Sequence, residues 1–333
     1  MKQTIPGGVW PTMTTPFTDG GEIDYPSLEK AVEWYISRGV DGLFAVCQSS
    51  EMFFLTLEER VELAKSIVKM VNGKVPVIAS GHISERFEDQ VAELNRMAET
   101  GIDALVLIAN RLAAEHESDE VLQHNLERLL NHLPGQIELG LYECPYPYKR
   151  LISPDLLRWC ADTGRFSFLK DTCCDLDNIK AKIGAVEGSR LKVFNANTST
   201  LLESLRLGAA GYSGVMANFH PELYVWLDRN WRTQPDRAED LADILTMASF
   251  IEKQGYPANA KILSGAGRRV RRHPQPLEGR GTDGDPSPGS GAVAPPDDQA
   301  EPGIRRVISE PARLACARDE GKRAWHAPFT ADT

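Results

Sequence analysis

The sequence predicts an α/β fold: a (β/α)8 TIM barrel with a short C-terminal helical extension and a tail. Three observations carry this. From residue 8 to about residue 231, short apolar runs alternate with longer amphipathic segments. Strands alternating with helices imply parallel pairing through right-handed crossovers. The alternation repeats eight times, which favours closure into a barrel over a doubly wound open sheet. Finally, 333 residues with 42% hydrophobic content suffice for one large core.

Residues 9–17 read as a first strand and loop. Residues 25–38 have helical spacing, with Leu28, Ala31, Val32 and Tyr35 on one face. Residues 42–46 form a second strand and 57–71 a second helix. Thr56 and Glu59 fit a capping box there: the Thr hydroxyl accepts from a free amide and the Glu carboxylate reaches back. Further strand–helix pairs follow at 75–79 and 87–100, 104–109 and 119–132, 137–142 and 154–162, 166–170 and 177–186, 191–195 and 199–207, and 211–215 and 221–231. One more helix, 236–254, places Leu241, Ile244, Leu245, Ala248 and Ile251 at core-like spacing. The expected organisation is a barrel over 1–231 and a helical extension over 232–263.

Near Ser264 the composition changes. Residues 264–333 hold ten Arg and one Lys, against fourteen Arg and twelve Lys before them, and Gly and Pro supply 18 of these 70 residues. Apolar periodicity is almost lacking before Val307. Such a composition buries too little surface to offset chain entropy, so this Arg/Gly/Pro-rich tail is expected to be disordered. It also has the character of a high-GC reading frame shifted after Leu263, which resequencing of the coding DNA would decide.

A net charge of −10 disfavours nucleic acid or an anionic membrane as the main partner. The six cysteines show no metal-ligand or disulfide spacing, and the start of the chain lacks an apolar signal region, so a reducing cytoplasmic setting is expected. Scattered histidines disfavour a metal site, and no G-x-G-x-x-G follows the first strand to hold a dinucleotide.

The chemistry centres on the apolar run Phe166, Ser167, Phe168, Leu169 closed by Lys170. Burial at a strand end penalises the ammonium charge, lowers the pKa and leaves an amine able to form a Schiff base with a carbonyl. In a barrel, catalytic groups sit at the C-terminal strand ends. Reading those ends gives Thr15-Pro16-Phe17, Cys47-Gln48-Ser49-Ser50-Glu51, Asn110-Arg111, Tyr142 with Pro145 three residues on, Lys170-Asp171-Thr172, Asn195 to Asn197, and Gly214-Val215.

In order and spacing, these motifs resemble the dihydrodipicolinate synthase/N-acetylneuraminate lyase family of class I aldolases, over roughly residues 7–263. The resemblance implies a Schiff-base-forming lyase on pyruvate or a related small 2-oxo acid. It implies Lys170 as nucleophile and Tyr142 as proton shuttle, with Ser49, Ser50, Gln48 and Val215 around the substrate. It also implies no cofactor beyond the covalent adduct, and a homotetramer or homodimer. Glu51 is read as a brace for its loop.

The departures are specific. Gln48 stands where the family has a relaying hydroxyl, and both loop glycines are gone. Ala109-Asn110 replaces a tyrosine pair found in the synthases. Pro147 stands where they carry an arginine for the second substrate, leaving Arg150 or Arg111 as substitutes. These departures argue against a true dihydrodipicolinate synthase, that is, a 4-hydroxy-tetrahydrodipicolinate synthase. They leave a catalytically impaired keto-acid-binding barrel as an alternative.

Overall fold

The computed structural model describes residues 5–263, so the tail expected over 264–333, with its disorder or shifted frame, lies outside the described residues. The strands are β1 (Gly8–Val9), β2 (Leu43–Val46), β3 (Val77–Ala79), β4 (Ala104–Ile108), β5 (Glu138–Tyr142), β6 (Phe166–Asp171), β7 (Lys192–Asn195) and β8 (Gly211–Tyr212). Between and after them run α1 (Tyr25–Ser37), α2 (Leu57–Val71), α3 (Phe87–Ala98), α4 (Asp119–Leu130), α5 (Pro154–Asp162), α6 (Leu176–Ala185), α7 (Leu201–Arg206) and α8 (Pro221–Asn230). The strands form one sheet in the order β1-β8-β7-β6-β5-β4-β3-β2, every named pair parallel.

The β1–β2 seam decides between barrel and open sheet. Thr12 forms a parallel bridge to Phe44, whose amide donates to the Pro11 carbonyl, while the Met13 amide donates to the Phe44 carbonyl. The sheet therefore closes into the expected TIM barrel. Closure at β1–β8 needs glycine on both sides. Gly8 and Gly211 have φ of 109° and 151°, and a Cβ on Gly211 would stand 1.9 Å from the Gly8 carbonyl oxygen.

Aromatic side chains fill the interior. Phe168 and Phe194 stack at 4.5 Å, and Trp10 meets Phe168 edge-on at 5.6 Å. Full burial of such a ring is worth about 1.5–3 kcal/mol, so this layer forms a solid floor under the strand ends. Helix starts follow local sequence. Asp24, Thr56, Ser153 and Asp175 accept from free first-turn amides, and the Thr56–Glu59 capping box closes in both directions.

The extension departs from expectation. The helix foreseen over 236–254 is α9 (Pro235–Ala248), which tightens into a 3-10 turn over Ser249–Lys253. Leu245 is buried, but Ile244 is 54% exposed, and Met247 and Phe250 are more so. The apolar spacing predicted a shared face correctly, but that face is only partly covered. Gly255, at φ 91°, then turns the chain back and α10 (Ala258–Leu263) follows. Among the described residues no helix is long and apolar enough to cross a membrane.

Candidate active site

The C-terminal strand ends surround a cavity of about 540 Å³. Lys170, Tyr142, Gln48, Ser49 and Val215 all line it, so five of the six residues expected around the substrate converge. Ser50 does not. Its hydroxyl donates to the Cys47 carbonyl at 2.6 Å and accepts from the Cys47 amide at 2.7 Å, and it is fully buried. Ser50 fixes the turn that presents Gln48 and Ser49, because its one O–H is spent on the Cys47 carbonyl and no donor is left for a carboxylate.

Lys170 is the penultimate residue of β6 and is 3% exposed. Burial lowers its pKa to about 8. The neighbouring thiols of Cys47 and Cys144 would raise it if ionised. Burial pushes both thiols up, Cys144 to about 11, so they stay neutral and desolvation prevails. Tyr142 ends β5 directly opposite Lys170 in the ladder, and the Lys170 Nζ lies 4.4 Å from the centre of the Tyr142 ring. Burial holds the Tyr142 phenol well above 10. That hydroxyl donates to Gln48 Oε1 at 3.5 Å, the long edge of hydrogen-bonding reach.

Next to this pair along the chain stands a charged cluster that sequence reading missed. Lys182 Nζ, on α6, donates to Glu143 Oε1 and to Asp171 Oδ2, each at 2.5 Å, and all three side chains are fully buried. Glu143 follows Tyr142 and Asp171 follows Lys170. Glu143 also accepts from the amides of Ile152 and Thr172, and Asp171 accepts from the Cys173 amide. Burial works to lower the Lys182 pKa, but the two carboxylates outweigh it and hold the ammonium above its ordinary value. The ends of β5 and β6 are thus tied through one cation.

The remaining expectations sort clearly. Glu51 takes the left-handed conformation at φ 61° and ion-pairs with Lys261 of α10, so it braces the loop as foreseen. Asn110 donates to the carbonyls of Cys144, Tyr146 and Tyr148, clamping the loop after β5. Arg150 pairs with Asp119 at 2.6 Å and Arg111 lines a separate, smaller cavity of about 280 Å³. Neither arginine lines the main cavity, which corrects their suggested role with a second substrate. Also missed was the extension's share of the wall: Ser249, Glu252, Lys253, Tyr256 and Pro257. Among the described residues, no group of three or more His, Cys, Asp or Glu side chains could hold a metal ion.

The dihydrodipicolinate synthetase family matches residues 5–262 of the chain. A 4-hydroxy-tetrahydrodipicolinate synthase from Clostridium perfringens is 30% identical over 213 residues, covering 63% of this chain and 70% of the relative. A dihydrodipicolinate synthase structure from Bacillus anthracis superposes with a TM-score of 0.74 at 22% identity, covering 82% of this chain and 93% of that one. A chloride-inhibited dihydrodipicolinate synthase from Acinetobacter baumannii, solved with pyruvate, gives a TM-score of 0.70 at 25% identity, covering 78% of this chain and 87% of that one.

Proposed function

The chain belongs to the dihydrodipicolinate synthetase family, and on that premise we propose that it is a Schiff-base-forming lyase on pyruvate or a related small 2-oxo acid, with Lys170 as nucleophile and Tyr142 as proton shuttle. The observation that carries this is a buried amine, lowered to about 8, facing a cavity beside a phenol on the neighbouring strand. The neutral amine adds to the keto carbon. A proton delivered to the resulting hydroxyl lets it leave as water, forming the iminium. The iminium draws electrons from the adjacent carbon, which loses a proton or breaks its bond to carbon. Tyr142 moves that proton, because one phenol oxygen can both donate and accept. Ser49 and the turn at residues 48–50 hold the carboxylate, and Gln48 and Val215 shape the walls. The chemistry needs no cofactor beyond the covalent adduct.

Two narrower readings compete. The 4-hydroxy-tetrahydrodipicolinate synthase activity named for the relatives is disfavoured, since Asn110 is spent on a loop and Pro147 stands where an arginine would be needed. An impaired keto-acid-binding barrel is favoured by one feature: Gln48 accepts from Tyr142 but has no hydroxyl to pass a proton on. Slow exchange of pyruvate methyl protons with solvent, if catalysed, excludes binding alone. We carry the family's homotetramer or homodimer and a cytoplasmic setting into the proposal, and sedimentation reads the first.

Borohydride trapping tests the central reading. The protein is incubated with pyruvate and reduced, and the added mass is located by peptide mapping. A reduced adduct on Lys170 is expected. No adduct in a sample that melts cooperatively removes Lys170 as a pyruvate nucleophile.

A further inference from the structure

Tyr256 comes from the extension, outside the eight strand–helix repeats, yet it lines the same cavity as Lys170 and Ser49. Its hydrogen-bonding direction can be worked out from its neighbours. Asn218 Nδ2 donates to the Thr12 carbonyl at 2.8 Å, and a carbonyl can only accept, so the amide orientation is fixed. The same nitrogen donates to Tyr256 Oη at 2.9 Å, while Asn218 Oδ1 accepts from Tyr35 Oη at 2.6 Å. Tyr256 therefore receives a hydrogen bond from Asn218, and its own O–H is left to point elsewhere. The hydroxyls of Ser49 and Thr12 lie beside the phenol, and Ser49 Oγ itself donates to Thr12 Oγ1 at 3.1 Å.

The segment is pinned to this corner at several points. Asn259 Nδ2 donates to the Ile251 carbonyl at 2.7 Å, closing the turn around Gly255 and Pro257. The Tyr256 ring packs against Phe219, with centroids 6.3 Å apart. Lys261 ion-pairs with Glu51, in the loop that carries Ser49. A phenol whose acceptor side is occupied, placed at the cavity wall, presents one donor to an acceptor-only ligand group, whereas the neighbouring Ser49 hydroxyl already donates to Thr12.

We propose that Tyr256 is a substrate-binding residue: its O–H donates to the carboxylate of the 2-oxo acid, beside Ser49, so that the extension completes the acid-binding corner of the barrel. This rests on the reading of Lys170 as the Schiff-base nucleophile. Burial holds the phenol well above 10, so it stays a donor wherever the Lys170 amine is free.

The test is borohydride trapping on the full chain, wild type against Tyr256→Phe, titrated with pyruvate and, separately, with acetone, which has the ketone but no carboxylate. A hydrogen bond to a charged acceptor is worth enough to raise the half-saturating pyruvate concentration about tenfold or more. Trapping at saturation should stay within about twofold, the adduct should remain on Lys170, and the acetone titration should not move. An unchanged pyruvate titration in a variant that melts like wild type overturns the assignment. So does an equal loss for pyruvate and acetone, which marks a general disturbance of the site. Wild-type protein that traps no pyruvate removes the Lys170 reading, and this one with it. Wild type that traps, beside a variant with the same half-saturating pyruvate concentration, overturns Tyr256 alone.

Discussion

Tyr142 and Lys170 are register partners across β5 and β6, with the lysine nitrogen 4.4 Å from the centre of the phenol ring. Two side chains on the same face at the same level of adjacent parallel strands keep their separation whatever the loops do. Tyr142→Phe keeps the ring that packs against Lys170 and Phe44 but removes the proton. Positioned proton transfer contributes about 10²–10⁴-fold. The variant should form the Lys170–pyruvate adduct slowly, and its methyl-proton exchange, followed by NMR in heavy water, should fall by a factor in that range. Exchange at the wild-type rate would remove Tyr142 from the proton path.

The Lys170 amine should titrate near pH 8, below an ordinary lysine at about 10.5, because burial disfavours its charged form. At pH 7 about a tenth is neutral, and the fraction rises roughly tenfold per pH unit below 8 before levelling above it. Carbamylation by cyanate, followed by peptide mass, reads the neutral amine without requiring turnover. The rate at Lys170 should level off above about pH 8, while exposed lysines keep accelerating. A Lys170 rate still climbing at pH 10 would mean that its charge is not desolvated.

Lys182 is the cation between Glu143 and Asp171. Lys182→Met keeps most of the side chain's unbranched stem and leaves two buried carboxylates without their cation. Breaking a buried ion pair on one side costs about 3–5 kcal/mol. Denaturant melts should show a loss of that order, and proton uptake by Glu143, whose pKa burial already raises, should make it smaller at pH 5 than at pH 8. A variant as stable as wild type at pH 8 would show that the cluster adds nothing net to folding.

The order of elements was legible because strand–helix alternation is a local signal, and the cavity's centre was legible because Lys170 and Tyr142 each close an apolar run. What stayed hidden was long-range. Lys182 looks like any helix lysine until α6 brings it against carboxylates 39 and 11 residues away. Periodicity put Ile244 on the same face as Leu245, but periodicity does not say what covers a face. Tyr256 did have a signal: Gly255 and Pro257 flank it, which marks a turn after a helix. An aromatic residue held in such a turn is a candidate for the site it returns to. Ser50 failed for the opposite reason, since a Ser-Ser pair does not tell which hydroxyl caps the turn and which faces the ligand.

Gln48 is the residue on which the lyase reading and the binding-only reading divide. Its Oε1 takes the Tyr142 hydrogen bond at 3.5 Å and that of the Cys144 thiol at 3.6 Å. An amide oxygen accepts a hydrogen bond but does not hand a proton onward at neutral pH, whereas a hydroxyl accepts and donates at one atom. The Tyr142 proton therefore has to exchange with substrate or solvent directly. Gln48→Thr restores a hydroxyl on the same turn, whose geometry is set by Ser50 and Cys47 rather than by Gln48. If the relay limits proton transfer, methyl-proton exchange on pyruvate should rise about tenfold or more, with little change in the pyruvate concentration that half-saturates trapping. An exchange rate that stays flat or falls would show that Tyr142 already exchanges its proton efficiently with Gln48 in place.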